Sequence, residues 1–182
     1  HYAHLLVHGF SGDPVMKAAI NAWYRSALLF LFFLPTGIAA AYYLIPKVTG
    51  RPVYSYSLSL LGFWSLAIIG PWAGMQKLAG APIPNFLPYL GAAATIMIAI
   101  PAIAVAVNLL KTASGAPDVV VDSPTLRFTV AGVIGLLVTG GACVFLNNPA
   151  ILPGTQFSLS NYGFEILALY GFFSLIAFGM IY

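Results

Sequence analysis

The chain has 182 residues, of which 60% are hydrophobic and only 6% are charged, and its mean hydropathy is +0.94. A soluble domain carries about 25% charged residues. This composition therefore excludes a water-soluble domain and indicates a protein whose main solvent is lipid. The net charge of +3 does not indicate nucleic-acid binding, because the Lys and Arg residues flank apolar segments, where they set membrane topology. A single cysteine, Cys143, excludes a disulfide framework and a cysteine-based metal site within the chain.

Five apolar segments predict an all-α integral membrane bundle, since about 20 apolar residues suffice to cross the hydrocarbon core. They cover approximately residues 23–45, 56–75, 89–110, 126–146, and 162 to the end. Residues 1–10 are predicted to form the end of a preceding helix, and residues 15–21 a short amphipathic connector. The chain starts at His1 without Met and ends inside an apolar segment. We therefore expect residues 1–182 to form a single transmembrane domain that is a portion of a longer chain.

Residue types within these segments add three structural predictions. Prolines inside the spans predict kinks that face protein rather than lipid, at Pro35, Pro71 and Pro101. Small residues of the fourth span predict close helix packing, at Gly132, Gly135, Gly140 and Gly141. Aromatic residues around the first turn are predicted to be anchors at one membrane interface, namely Tyr42, Tyr43, Tyr54 and Tyr56.

Three histidines near the start of the chain are candidate metal or heme ligands. His1, His4 and His8 are spaced by three and four residues, which places them on one face of a helix. Two interpretations are open. The three imidazoles can ligate a heme or a metal, or they can be interfacial residues at a helix end. The second is favoured, because no carboxylate accompanies them to orient the rings.

The hairpin formed by the first two spans carries a resemblance to a known family. Its motifs are WY at 23–24, IPK at 45–47, RPVYSY at 51–56 and WAG at 72–74. In these motifs and their spacing, the chain resembles the catalytic subunit I of the heme–copper oxidases, and most closely that of the cbb3-type cytochrome c oxidases. The resemblance implies part of a twelve-helix membrane bundle, corresponding to roughly its sixth to tenth helices.

The same resemblance implies that the metal ligands of the family are missing. The three histidines that bind copper in the family fall at Ser26, Gln76 and Lys77 of this chain. The tyrosine that the family crosslinks to a copper ligand falls at Gly70. The heme-ligating histidines fall near Phe164 and Ile166, and no histidine follows His8. Side chains such as Ser, Gln and Lys do not bind copper as imidazoles do, so we expect no catalytic site and no cofactor in this segment.

If the fold is the implied one, three charged residues converge where the family holds copper and heme. Arg25, Lys77 and Glu165 lie near the same membrane face, at the start or end of spans. Charged groups at that depth pair with one another or face a cavity. One hypothesis is that Glu165 pairs with Arg25 or Lys77 and so replaces the cofactor by an ion pair. In the alternative, each side chain extends separately to the interface.

Three functions are compatible with these observations. The first is a non-catalytic, structural or assembly subunit of a respiratory electron-transfer complex in the bacterial inner membrane. Its partners would be the bilayer and other membrane subunits, a cytochrome c-type subunit among them, and not nucleic acid. The second is a portion of an active oxidase or nitric oxide reductase whose heme ligands lie elsewhere in the chain or in partner subunits. The third, an ion-conducting scaffold, is disfavoured by the scarcity of intramembrane Asp and Glu.

Overall fold

The computed structural model describes residues 14–148, 150–155 and 158–182, and these residues are helical or lie in turns, with no strand among them. The predicted helix end at residues 1–10 lies outside this part of the chain, and so do His1, His4 and His8. The all-α membrane fold predicted from composition is confirmed.

Seven helical elements follow one another along the described residues. They are α1 (Pro14–Thr49), α2 (Tyr56–Ile69), α3 (Phe86–Ser114), α4 (Pro117–Asp122), α5 (Pro124–Leu146), α6 (Leu152–Thr155) and α7, which joins Ser160–Ile166, Leu167–Ser174 and Leu175–Ile181. Two 3₁₀ turns, Gly70–Trp72 and Met75–Leu78, follow α2. Within the part of the chain that the structure describes, five segments are long and apolar enough to cross a membrane: Pro14–Thr49, Tyr56–Leu78, Phe86–Ser114, Pro124–Leu146 and Tyr162–Ile181. The prediction of five spans is confirmed.

The first span is longer than predicted. The segment interpreted as a separate connector at residues 15–21 is continuous with it, because α1 begins at Pro14 and runs unbroken to Thr49. A proline in the first helical turn is well tolerated, since its missing N–H would have no partner there. Farther along, residues 28–33 wind as a π-helix just before Pro35. Proline has no N–H to donate to the carbonyl four residues earlier, and local rewinding of this kind is a common response.

A buried amide fixes the turn between α1 and α2. Asn108 of α3 is fully buried, and its Oδ1 accepts a hydrogen bond from the Ser55 N–H at 2.8 Å. Its Nδ2 lies within 3.0 Å of three oxygens, those of the Ser55 carbonyl, Ser59 Oγ and Tyr42 Oη. Ser55 in turn caps α2 by accepting from the Leu58 N–H. The RPVYSY motif therefore serves to position the hairpin on α3.

Glycines allow the close contact between α5 and α7, and Gly135 is the most tightly placed of them. A Cβ atom at Gly135 would overlap the carbonyl oxygen of Gly171, which is backbone and cannot move aside. Gly132 and Gly140 also face neighbouring helices closely, so the packing prediction holds for them. It is wrong for Gly141, where a Cβ would meet no atom within 4 Å. The helix repeat turns Gly141 away from the face that carries Gly135.

We expect Gly135→Ala to lower the free energy of unfolding in detergent micelles by about 1–3 kcal/mol, as overpacking does in other cores. The matched change, Gly141→Ala, should be neutral or raise it by about 0.5–1 kcal/mol, because alanine favours the helix and meets no neighbour. Chemical unfolding followed by circular dichroism measures both. Equal effects of the two substitutions would contradict this packing of α5 on α7.

Candidate functional site

Three distant parts of the chain meet near one end of the bundle: the first half of α1, the two 3₁₀ turns after α2, and the start of α7. The Trp23 Nε1 donates a hydrogen bond to the Pro71 carbonyl at 2.9 Å. Gly74 adopts a left-handed conformation with φ of 107°, and a Cβ there would overlap Ser26. Glycine is therefore required both by the backbone and by the close approach of α1.

A charged cluster joins these parts. One carboxylate oxygen of Glu165 lies 2.9 Å from Arg25 Nη2, and the other accepts from Lys77 Nζ. The exposed fractions of the Arg25, Lys77 and Glu165 side chains are 48%, 24% and 19%. The structure thus brings Glu165 to both cations, whereas the hypothesis required only one. The guanidinium also lies over the ring of Tyr162, 5.6 Å from its centroid, in the range of a cation–π contact.

A second polar group lies beside the charged cluster and is buried. Gln76 is 5% exposed, and its Nε2 donates to Thr95 Oγ1 and Asn147 Oδ1, both at 2.9 Å. Its Oε1 accepts from the Gly74 N–H at 2.9 Å. Thr95 Oγ1 donates a hydrogen bond to the Gly91 carbonyl, and Asn147 Nδ2 donates one to the Cys143 carbonyl. Every polar atom of the Gln76 amide is therefore satisfied, as a buried polar group requires.

Ser26 differs from its neighbours in having an unpartnered hydroxyl. It is 2% exposed, and its Oγ has no hydrogen-bond partner among the described residues. Leaving a buried hydroxyl unpaired is unfavourable. The resemblance implies a metal-binding imidazole at this position. The Ser26 hydroxyl, packed against Gly74, is a much weaker metal ligand than an imidazole.

The positions of the implied heme ligands are occupied by two apolar side chains, of which only Phe164 is buried. Phe164 is 7% exposed, and its ring centroid lies 6.3 Å from that of Phe30. Ile166 is exposed on the outer face of α7. The adjoining cavity has a volume of about 160 Å³, below the ~300–1,000 Å³ usual for ligand pockets. Its lining consists of Arg25, Leu28, Leu29, Phe33, Glu165 and Leu169.

Gly70, where the family has its crosslinked tyrosine, is buried beneath α1. A Cβ at this position would lie 2.9 Å from a methyl carbon of Leu31. A larger side chain here would require the Leu31 side chain to move.

Comparison with known proteins identifies the family of this chain. The whole chain, residues 1–182, matches the family described as "Cytochrome C and Quinol oxidase polypeptide I". The chain belongs to the heme–copper oxidase subunit I family. It is 36% identical to a "Cytochrome c oxidase subunit 1 homolog" of Agrobacterium tumefaciens (strain T37) over 70% of its length and 24% of that protein.

Two further relatives extend the match over most of the chain. A "Cytochrome c oxidase subunit 1 homolog" of Azorhizobium caulinodans is 32% identical over 92% of this chain and 30% of the relative. A "Cbb3-type cytochrome c oxidase subunit CcoN1" of Stutzerimonas stutzeri is 29% identical over 91% of this chain and 35% of the relative. The chain therefore spans about a third or less of the length of these curated relatives, and the resemblance to subunit I and to its cbb3-type members is confirmed.

The residues of this subunit I homologue do not fit the metals of its family. The Gln76 amide is engaged on both sides, because its Nε2 donates to two oxygens and its Oε1 accepts from the Gly74 N–H, and an amide does not bind copper as an imidazole does. Lys77 is held by Glu165, and a protonated ammonium group has no lone pair to offer. Within the described residues, no group of three or more His, Cys, Asp or Glu residues is placed to bind a metal. Arg25, Lys77 and Glu165 together bind one another, with one positive charge in excess.

Sequence reasoning missed three buried polar side chains of this subunit, two amides and one hydroxyl. Asn108, Thr95 and Asn147 each lie within or at the end of an apolar segment, and all are at most 3% exposed. Their one signal is a polar residue inside an apolar run, which in a membrane protein indicates a buried hydrogen-bonding role. That signal does not identify the partners, because Gln76 and Asn147 are 71 residues apart.

Proposed function

We propose that this chain is a non-catalytic homologue of heme–copper oxidase subunit I. It acts as a structural or assembly component of a respiratory electron-transfer complex in the bacterial inner membrane. One observation carries the proposal: a cation, Lys77, stands at a position where the resemblance implies a copper ligand, and it is held there in an ion pair with Glu165 from α7. A cation in that position repels a metal ion as well as failing to bind it.

The packing of the site supports a scaffold role. Removal of three imidazoles from a buried site would leave a cavity and unpaired polar groups, both unfavourable. Here the Gln76 amide network, the Glu165 ion pairs and the Phe30–Phe164 contact lie at or beside those positions. These contacts among residues of the chain itself support a role that needs no cofactor.

The outer surface of the bundle supports a role among other membrane subunits. In four of the five spans, at most 39% of the most apolar 18-residue window is buried within the chain. The remaining apolar faces are covered by lipid or by other helices. We propose that the helices on these faces come from neighbouring subunits of the complex, with a cytochrome c-bearing subunit as one partner.

An enzyme remains the second candidate, because the chain spans about a third or less of its relatives. In that case it would be a portion of an active oxidase or nitric oxide reductase, with its heme ligands outside this segment. His1, His4 and His8 belong to this segment but lie outside the described residues, and they stay a separate candidate for ligating a metal or heme.

Oxygen consumption and co-purification test the proposal together. The full-length protein is purified in a mild detergent and supplied with a chemically reduced one-electron donor, with an active cbb3-type relative as the control. We expect other membrane subunits to co-purify and oxygen consumption to stay at the level of a heat-treated sample. Turnover comparable to that of the control would overturn the proposal, and so would isolation of the chain without any partner subunit.

A further inference from the structure

A groove of about 430 Å³ runs between α1 and α2, well away from the charged cluster. It is lined by Pro35, Ile38, Ala39, Tyr42, Ser59, Leu60, Gly62, Phe63, Leu66 and Val105. The lining is almost wholly apolar, and its volume lies in the ~300–1,000 Å³ range of small-molecule pockets. From Pro35 to Tyr42 it extends over two helical turns, about 10 Å. A groove of this length and character suits a hydrocarbon chain.

One end of the groove is polar. Tyr42 Oη accepts a hydrogen bond from Asn108 Nδ2 at 3.0 Å, which leaves its own proton free to be donated to a further acceptor. Among the described residues no such acceptor is present for it. Ser59 Oγ lies at the same end and is already engaged with Asn108 and the Ser55 carbonyl. The groove therefore offers one hydrogen-bond donor, at the end nearer the turn between the two helices.

Two cations lie farther along the chain at the same end of the hairpin, outside the lining of the groove. Lys47 follows Tyr42 by five residues, less than one and a half helical turns, and Arg51 begins the connection to α2. Lys47 contacts Tyr43, and Arg51 donates to the Gly115 carbonyl. Neither has a carboxylate within ion-pair distance in the part of the chain that the structure describes. The acidic residues of this membrane face, Asp118 and Asp122, are exposed and form no such pair there either.

We infer that this groove binds one anionic phospholipid. An acyl chain lies along Ile38 and Phe63, an ester carbonyl accepts from Tyr42 Oη, and the phosphate contacts Lys47 and Arg51. The order of chemistry along the groove, apolar, then donor, then cation, matches the order of tail, ester and phosphate in such a lipid. Basic groups above a cleft between transmembrane helices are typical of binding sites for anionic headgroups. The inference does not depend on whether the protein is catalytic.

Native mass spectrometry of the full-length protein tests the site. The protein is exchanged into an equimolar mixture of phosphatidylglycerol and phosphatidylcholine, and the lipids it retains are counted. We expect one tightly retained phosphatidylglycerol. Lys47→Gln should lower its retention about fivefold, the contribution of one cation near the membrane surface, and leave phosphatidylcholine unchanged. Ala39→Phe fills the groove from an exposed position and should lower retention of both lipids.

Matched controls separate the site from general effects. Lys17→Gln removes a cation at the opposite end of α1, and Ala67→Phe adds the same ring to an exposed position of α2 outside the groove; both should retain lipid as the unaltered protein does. Equal retention of the two lipids by the unaltered protein would overturn the inference. So would equal losses from Ala39→Phe and Ala67→Phe, or a quinone or neutral lipid bound in place of phosphatidylglycerol after extraction from membranes.

Discussion

Glu165→Gln should lower the free energy of unfolding by about 2–3 kcal/mol, with chemical unfolding in detergent micelles as the measurement. The substitution keeps the shape of the side chain but leaves Arg25 and Lys77 without a counter-charge. Breaking a fully buried ion pair from one side costs about 3–5 kcal/mol. We expect a smaller loss here, because the three side chains retain partial exposure and solvent screens them.

A double substitution provides the control for this prediction. In Lys77→Met with Glu165→Leu, the partly buried pair is replaced by apolar groups of similar size, which is often neutral or stabilising. We expect most of the lost stability to return, with Arg25 reaching the interface through its long apolar stem. If Glu165→Gln left stability unchanged, the charge of Glu165 would have no role in holding α7 to the 3₁₀ turns.

Gln76→Leu should lower the free energy of unfolding by about 3 kcal/mol. The leucine leaves the backbone N–H of Gly74 and the side-chain oxygen Oδ1 of Asn147 buried without these hydrogen bonds. Each unpaired buried group costs about 1–3 kcal/mol. The same unfolding experiment measures the loss, and amide hydrogen exchange at Gly74 should accelerate, because its N–H loses its acceptor.

The control for Gln76 is another amide in an exposed position. Asn21→Leu alters a residue on the exposed face of α1, and changes at such positions usually stay within about 0.5 kcal/mol. A loss from Gln76→Leu no larger than that from Asn21→Leu would show that the amide network does not support the site.

The five spans could be predicted from sequence because length and hydropathy alone determine which segments cross a bilayer. Their ends were less accurate, as α1 shows. The polar residues of 15–21 suggested a connector, but the helix absorbs them, since the membrane interface accepts Lys17 and Asn21 as readily as a loop does. The first turn was well predicted because Gly50, with φ of 66°, ends α1 and Ser55 begins α2.

The charged cluster could be anticipated because charges near a membrane span are rare. The chain has only four acidic and seven basic residues, so the possible partners of Glu165 were few even across 140 residues. The amide network could not be anticipated. Gln76, Thr95 and Asn147 are ordinary residue types, and their pairing depends on the exact rotation of three helix ends. Helix rotation also decides the surroundings of two glycines that are only six residues apart. Gly135 faces the backbone of Gly171, whereas Gly141 faces open space.

The content of copper and heme in the purified full-length protein tests the central claim most directly. Copper is measured by elemental analysis, and heme by optical spectroscopy before and after reduction, alongside an active cbb3-type relative. We predict copper far below one equivalent per chain and no high-spin heme signal. Copper at one equivalent together with high-spin heme would contradict the account, because it would mean that Ser26, Gln76 and Lys77 do not stand where the active metal is bound.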